Sequence, residues 1–309
     1  MKLLWGLLLF SVINAQSVNL TKHPYATLGT DTYLSASTST GDIDNDGDID
    51  IVVANGRHWS QFNQIFFNDG SGFFRRSKVL GDEANTSYMV PLADIDNDGD
   101  LDIVSVGKDN SSRIIESNVN ELGQLHISSS GFGKFTGNPL LIKLIDLDQD
   151  GKLDFITTLR EDDIVWYKNN GRSGGSWVVD GPYYIAENTD LDAPRHFQVI
   201  DIDNDNDLDL VAQSGGSGDH ILLAWYENKD LSFTEHIILK GDQSVNGVEA
   251  GDIDKDGDID IFSFINNQQD LVQFENDSSH HIYREENPCQ GKRIPKYSFV
   301  LLIHIRSSS

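Results

Sequence analysis

The stretch that most constrains this chain is Asp42-Ile43-Asp44-Asn45-Asp46-Gly47-Asp48-Ile49-Asp50, which runs straight into the apolar residues Ile51-Val52-Val53-Ala54. Further copies open at Asp94, Asp146, Asp201 and Asp252, so the first aspartates lie 52, 52, 55 and 51 residues apart. A period of this length marks an array of similar supersecondary units, none able to bury its own core alone, and it outranks any local reading of the chain.

Carboxylates at alternate positions resist close packing. Two unit charges about 4 Å apart repel by roughly 4 kcal/mol at an effective dielectric near 20, and a third charge multiplies the cost. A bound cation removes that cost, and an all-oxygen donor set suits Ca²⁺ first and Mg²⁺ second. Positions 1, 3, 5 and 9 are the expected side-chain ligands. They are Asp42, Asp44, Asp46 and Asp50 in the first loop, then Asp94, Asp96, Asp98 and Asp102 in the second. The third supplies Asp146, Asp148, Asp150 and Asp154, the fourth Asp201, Asp203, Asp205 and Asp209, and the fifth Asp252, Asp254, Asp256 and Asp260. Position 7 (Asp48, Asp100, Lys152, Asp207, Asp258) is expected to offer its backbone carbonyl, since a lysine stands there in the third copy. Glycine at position 6 admits a positive φ, and Asn206, its substitute in the fourth copy, is the next best residue for that conformation. A merely solvated acidic turn would explain one such loop, but hardly five in one register.

An EF-hand would need a Glu at position 12 and a helix on each side. Position 12 is instead Val53, Ser105, Thr157, Ala212 and Ser263, and Ile-, Val- and Phe-rich runs follow each loop, which predicts strands. A second strand ends in Asn in each copy: Gln64–Asn68, Arg113–Asn118, Ile164–Asn169, Leu223–Asn228 and Leu271–Asn276. A third is clearest at Phe233–Leu239, and a fourth segment, such as Arg195–Ile200, leads into the next loop. Four short antiparallel strands per unit, without helical periodicity, describe an all-β chain, a β-propeller of four-stranded antiparallel blades.

With those loops and strands in view, the chain resembles the VCBS/FG-GAP repeat families, whose relatives include the calcium-binding blades of the integrin α-chain propeller. The resemblance covers roughly Thr32 to Glu286 and is closer to the VCBS form, because the integrin Phe-Gly and Gly-Ala-Pro signatures do not recur. It implies a calcium-stabilised propeller, with seven blades common in the family, whereas five loops are present here. Leu20-Thr21-Lys22-His23 is similar to Phe233-Thr234-Glu235-His236, an outer-type strand that would help close a ring, although His281-Ile282-Tyr283 already fills that place in the fifth unit. The alternatives are a ring of about five blades or part of a larger propeller.

Met1-Lys2 followed by the apolar run Leu3–Ile13 and Asn14-Ala15 reads as a secretory signal peptide cleaved after Ala15, too short to span a membrane. Repeats are then expected over 16–287, with a divergent tail over 288–309 that begins basic and ends apolar. The net charge is −26, and the five loops hold 24 of the 49 acidic residues. Five divalent ions would still leave about −16, which argues against nucleic acid and anionic membranes as partners. Cys289 is the single cysteine, so metal replaces disulfides as the staple. Sequons stand at Asn19, Asn85, Asn110 and Asn276, which would make a secreted eukaryotic chain a glycoprotein.

Other features invite weaker readings. Phe66-Phe67, Trp166-Tyr167 and Trp225-Tyr226 share one strand register and are expected in the core between blades. Arg57-His58-Trp59 has no copies in other units and is a seed for a binding loop. His280-His281 lacks a third ligand, and nothing resembles a nucleophile elbow or a phosphate loop. The expected function is a secreted recognition or cell-adhesion module for an extracellular protein or glycan, with no catalytic residues. The alternative is a carbohydrate-active enzyme, a polysaccharide lyase or hydrolase, seeded by Arg57-His58 and Arg195-His196.

Overall fold

The structure, a computed structural model, describes residues 28, 33–107, 112–120, 124–131, 139–159, 163–187, 191, 194–215, 220–242, 245–265, 270–276 and 282–284. The leader, Leu20–His23, Asn19, Asn110, His280-His281, Cys289 and the 288–309 tail lie outside them. Every strand belongs to the unit Tyr33–Ser309.

The first sheet takes β1 (Ser35–Gly41), β2 (Asp50–Asn55), β3 (Gln61–Phe67) and β4 (Arg76–Asn85) in chain order. The second takes β5 (Ser87–Met89), β6 (Leu92–Ala93), β7 (Asp102–Gly107), β8 (Arg113–Val119) and β9 (Leu125–Gly131). Here β5 and β6 both pair with β7, one on each side of Val90-Pro91. Pro91 has no N–H to give the ladder, which splits the first strand in two. The third sheet is β10 (Pro139–Ile145), β11 (Asp154–Leu159), β12 (Ile164–Ser173) and β13 (Ser176–Ala186). The fourth is β14 (Pro194–Ile200), β15 (Asp209–Ser214), β16 (His220–Lys229) and β17 (Ser232–Gly241). The fifth is β18 (Val245–Gly251), β19 (Asp260–Ile265), β20 (Asp270–Asn276) and β21 (Ile282–Arg284). All pairings are antiparallel, and the described residues contain no helix, hence none that could cross a membrane.

Each acidic loop therefore joins the first two strands of its own sheet. The segment read from sequence as the fourth strand of one unit is the first strand of the next: Ile200 pairs with Asp209 across the loop that separates them. A register shift recurs near the start of all five first strands, for example between Pro194 and His196, bending that edge.

The core lies between successive sheets. Phe67 and Ile43 of the first pack with Ile103 and Ile115 of the second. Val104 and Ile114 of the second meet Phe155 and Tyr167 of the third, Trp166 of the third meets Tyr226 of the fourth, and Trp225 of the fourth meets Ile261 and Phe274 of the fifth. The aromatic register is thus inter-sheet core, as the sequence reading expects. Second strands β7, β11 and β15 are buried along their whole length, which explains runs such as Asp209-Leu210-Val211-Ala212 that do not alternate. First strands of neighbouring sheets touch one another along the series. The result is an all-β array of sequential meanders consistent with a β-propeller-like repeat fold.

Candidate metal centres

Two backbone inversions shape each loop. Position 6 has positive φ in all five (Gly47 95°, Gly99 97°, Gly151 86°, Asn206 77°, Gly257 101°), and so does position 4 (Asn45 53°, Asn97 59°, Gln149 57°, Asn204 59°, Lys255 68°). The second inversion was not anticipated from sequence, although Asn at three of the five positions is a signal for it. The coil turns N–H groups inward. In the first four loops the position 1 carboxylate accepts from the N–H groups of positions 5 and 6, as Asp42 does from Asp46 (3.1 Å) and Gly47 (2.9 Å). In every loop the position 5 carboxylate accepts from the position 7 N–H, at 2.9 to 3.0 Å.

Position 9 opens the second strand and is buried in every sheet. Asp50, Asp102, Asp154 and Asp209 each accept from the position 2 N–H on one oxygen and from a backbone N–H of the third strand or the residue that follows it on the other. That second donor is the recurring asparagine: Asn68, Asn169, Asn228 and, for Asp260, Asn276. In the second sheet the donor is Ser117, whose hydroxyl also donates to the carbonyl of Leu101. Asn118, read from sequence as the matching residue, is one place out of register and exposed, and its amide donates to Asp98. Elsewhere the asparagine amide donates to the position 8 carbonyl, as Asn228 does to Leu208 at 3.0 Å. Asn276 donates across sheets to the Ile202 carbonyl at 3.1 Å and is buried.

Carboxylate oxygens of positions 1, 3 and 9 converge within 4.8 Å of one another in four loops: Asp42, Asp44 and Asp50; Asp94, Asp96 and Asp102; Asp146, Asp148 and Asp154; Asp201, Asp203 and Asp209. Position 5 stands outside these triads, as do the position 7 side chains, which turn toward the outer strands: Asp100 accepts from Val119 N–H and Asp207 from Asp230 N–H. The fifth triad is Asp252, Asp254 and Asp256, all exposed, without Asp260.

Burial, above the effect of neighbouring charge, pushes these carboxyls toward the neutral form. It lifts Asp102 to about 7 and Asp154 and Asp209 to about 6, against the opposing pull of their N–H donors. Asp44 and Asp96 are also raised, by burial first and then by the charges of Asp46 and Asp98 respectively. Asp44 Oδ1 and Asp96 Oδ1 are buried without a hydrogen-bond partner. An orphaned carboxylate oxygen beside two others costs free energy that a hard cation would offset, so the donor set fits a divalent ion.

The FG-GAP-like repeat family matches residues 28–105, 146–212 and 201–263, more than half of the chain. The chain belongs to this family. No curated protein sequence matches it. Among solved structures it is similar to the V. cholerae biofilm matrix protein Bap1, at 14% identity and a TM-score of 0.44, with 82% of this chain and 40% of that one covered. The FG-GAP chain thus spans less than half the length of that protein.

Two features of this family member were invisible as single residues in the sequence. Position 4 amides link consecutive loops: Asn45 donates to Asp100, Asn97 to the Gly151 carbonyl (3.1 Å), Gln149 to the Asn206 carbonyl (2.7 Å) and Asn204 to the Gly257 carbonyl (3.1 Å). Three residues before loops three, four and five, Lys143 donates to Gln198 (2.7 Å), which donates to Glu249 (2.9 Å), tying three first strands together. Comparing the repeats at fixed offsets would have exposed both. Arg57, His58 and Trp59 are exposed between β2 and β3, at the sheet end opposite the acidic loops. Arg195 and His196 sit at the corresponding end of the fourth sheet, where His196 Nδ1 accepts from Val248 N–H at 3.4 Å. A cleft of about 580 Å³ beside the third loop is lined by Asp148, Trp166, Lys168, Pro182, Tyr183, Tyr184 and Leu231.

Proposed function

We propose that this chain is a secreted recognition or adhesion module, a β-propeller of VCBS-type blades whose acidic loops hold divalent cations, calcium first, and whose faces bind an extracellular protein or glycan. One observation carries the reading: three carboxylates converge within 4.8 Å in each of four loops, with buried oxygens of Asp44 and Asp96 left unpartnered. The ion performs no bond chemistry in this account. Its charge neutralises the triad while Asp50, Asp102, Asp154 and Asp209 tie loop, second strand and third strand of each sheet together through backbone N–H groups. The weak sites sufficient in calcium-rich extracellular surroundings suit export through a leader at residues 1–15. Rigid sheets presenting many short loops suit binding, and the reading assigns no catalytic residue.

The test has two arms. Calcium added to chelator-treated protein should bind in stoichiometric amounts and raise the melting temperature; no uptake at millimolar calcium overturns the cation assignment. A glycan array probed with and without EDTA should show calcium-dependent retention. Turnover of a polyanionic polysaccharide would replace binding with catalysis.

A further inference from the structure

We infer that the third loop carries its own cation, the Lys168 ammonium, and does not take up the divalent ion that the other preorganised loops hold; this rests on the cation reading above. Lys168 lies on β12, one residue before Asn169, the asparagine whose N–H donates to Asp154; β12 runs on past it to Ser173 rather than ending there as the sequence suggested. Its ammonium donates to Asp148 Oδ2 and lies 3.0 Å from Asp150 Oδ2, bridging positions 3 and 5 of the loop. Its side chain is 27% exposed, which holds the charge close to the carboxylates rather than in open water. Lys152, at position 7, adds a second ammonium 3.1 Å from Asp150 Oδ2.

Repetition within the chain supplies the control. The residue before the matching Asn or Ser is Phe67, Glu116, Glu227 and Glu275 in the other sheets, and position 7 is aspartate in all four other loops. Counting each loop with that strand residue, four aspartates against two lysines leave −2 in the third repeat. Five aspartates with Glu227 make −6 in the fourth. A divalent ion entering the third triad would meet an ammonium already seated on one of its three ligands, and like charges at contact distance repel. The lysine also occupies one oxygen of Asp148, a member of that triad, and one of Asp150 beside it.

Arg76 makes a superficially similar contact with Asp44 in the first loop, but with a different outcome. Its side chain is 62% exposed, its guanidinium rests 3.8 Å over the Phe67 ring, and it touches Oδ2 alone. Asp44 Oδ1 stays buried and unpartnered, and Asp96 keeps such an oxygen too, whereas Asp148 has none. The first loop therefore retains the electrostatic demand for an ion, and the third has met it from within.

Native mass spectrometry of the full chain in calcium, counting bound ions, tests this. Asp203→Asn, in the fourth loop, should lose one ion relative to wild type. Asp148→Asn should lose none, and Lys168→Met should gain one. Loss of an ion in Asp148→Asn, or no gain in Lys168→Met, overturns the inference while leaving the cation reading intact. A wild-type chain that binds no calcium removes both. Wild type against Asp148→Asn decides the matter even where Lys168→Met does not fold, and charge-state distributions report folding in the same spectra.

Discussion

The fourth and fifth loops share their aspartates at positions 1, 3, 5, 7 and 9, yet they differ in shape. Ile202, at position 2 of the fourth, is fully buried among Val248, Ile261 and Phe274 of the fifth sheet. Ile253, its counterpart, is 58% exposed. Asp201 caps the N–H groups of Asp205 and Asn206, while among the described residues Asp252 caps neither Asp256 nor Gly257. The fourth triad includes the buried Asp209; the fifth replaces Asp260 with exposed Asp256. The lesson is that nine residues do not fold this loop alone. The following sheet does, by accepting the position 2 side chain into its core, and only a loop pinned in that way brings positions 1, 3 and 9 together.

The largest test of this contrast is chelation of the divalent ions proposed for these loops. An ion that binds only the folded state contributes about 2.7 kcal/mol at a free concentration a hundred times its dissociation constant, and several loops contribute together. Excess EDTA should therefore lower the melting temperature sharply. Asp203→Asn should forfeit much of one loop's share of the calcium-dependent gain, and Asp254→Asn much less, because the fifth triad is not preorganised. Calorimetry in calcium and in EDTA measures both. Equal losses would mean that the fifth loop closes as well as the fourth, and the comparison would fall.

Next in size is the position 2 side chain itself. Ile202→Ala leaves a cavity between two sheets, and such truncations cost about 2–5 kcal/mol. Ile253→Ala removes a side chain already mostly in water and should stay within about 0.5 kcal/mol. Urea denaturation in calcium reads both values. A cost above ~2 kcal/mol for Ile253→Ala would show that something covers that residue in solution.

The spacing of five acidic loops and the strand-rich runs between them made the sheet array legible, because period and alternation are local in sequence. Position 9 is the instructive case. Asp50, Asp102, Asp154 and Asp209 were legible as acidic residues of the loop, and the structure brings each beside two other carboxylates. Their second task, gathering the N–H groups of Ile43 and Asn68, depends on two strands meeting. The recurring Asn was visible without its reason, and in the second sheet the register assigned to Asn118 belongs to Ser117. Lys168 reads as an ordinary strand lysine until β12 is folded back beside the third loop. What escaped sequence reasoning in each case is a contact between repeats or between strands, set by packing rather than by residue type.

A smaller effect follows from pH. In sheets two to four, burial holds Asp102 near 7 and Asp154 and Asp209 near 6, above the roughly 3.9 of an unfolded aspartate. The fold thus favours their protonated form more than the unfolded chain does. Their contribution to stability is complete below about pH 4 and is lost as pH rises through 6 to 7. In EDTA the chain should melt a few degrees higher near pH 5 than near pH 7.5, and calcium should remove or reverse that order. A higher melting temperature near pH 7.5 in EDTA would mean that the backbone donors to position 9 already offset the desolvation.

The finest distinction between the two loops lies at position 4. Asn204 reaches forward to the Gly257 carbonyl, and three earlier amides make the equivalent link to the next loop. The fifth loop has Lys255 there, also at positive φ (68° against 59° for Asn204) but with no carboxamide to pass on. If the amide series helps each loop set the next, Asn204→Ala should cost about 0.5–1.5 kcal/mol, the usual net worth of one hydrogen bond. Lys255→Ala should be neutral within about 0.5 kcal/mol. Hydrogen exchange separates this from a merely local loss: in Asn204→Ala the amides of 254–258, across the link, should exchange faster, while those of the third loop stay unchanged. Protection lost only within 201–209 would show that the Asn204 amide does not set the next loop, leaving the burial of Ile202 as what positions the fourth loop against the fifth sheet.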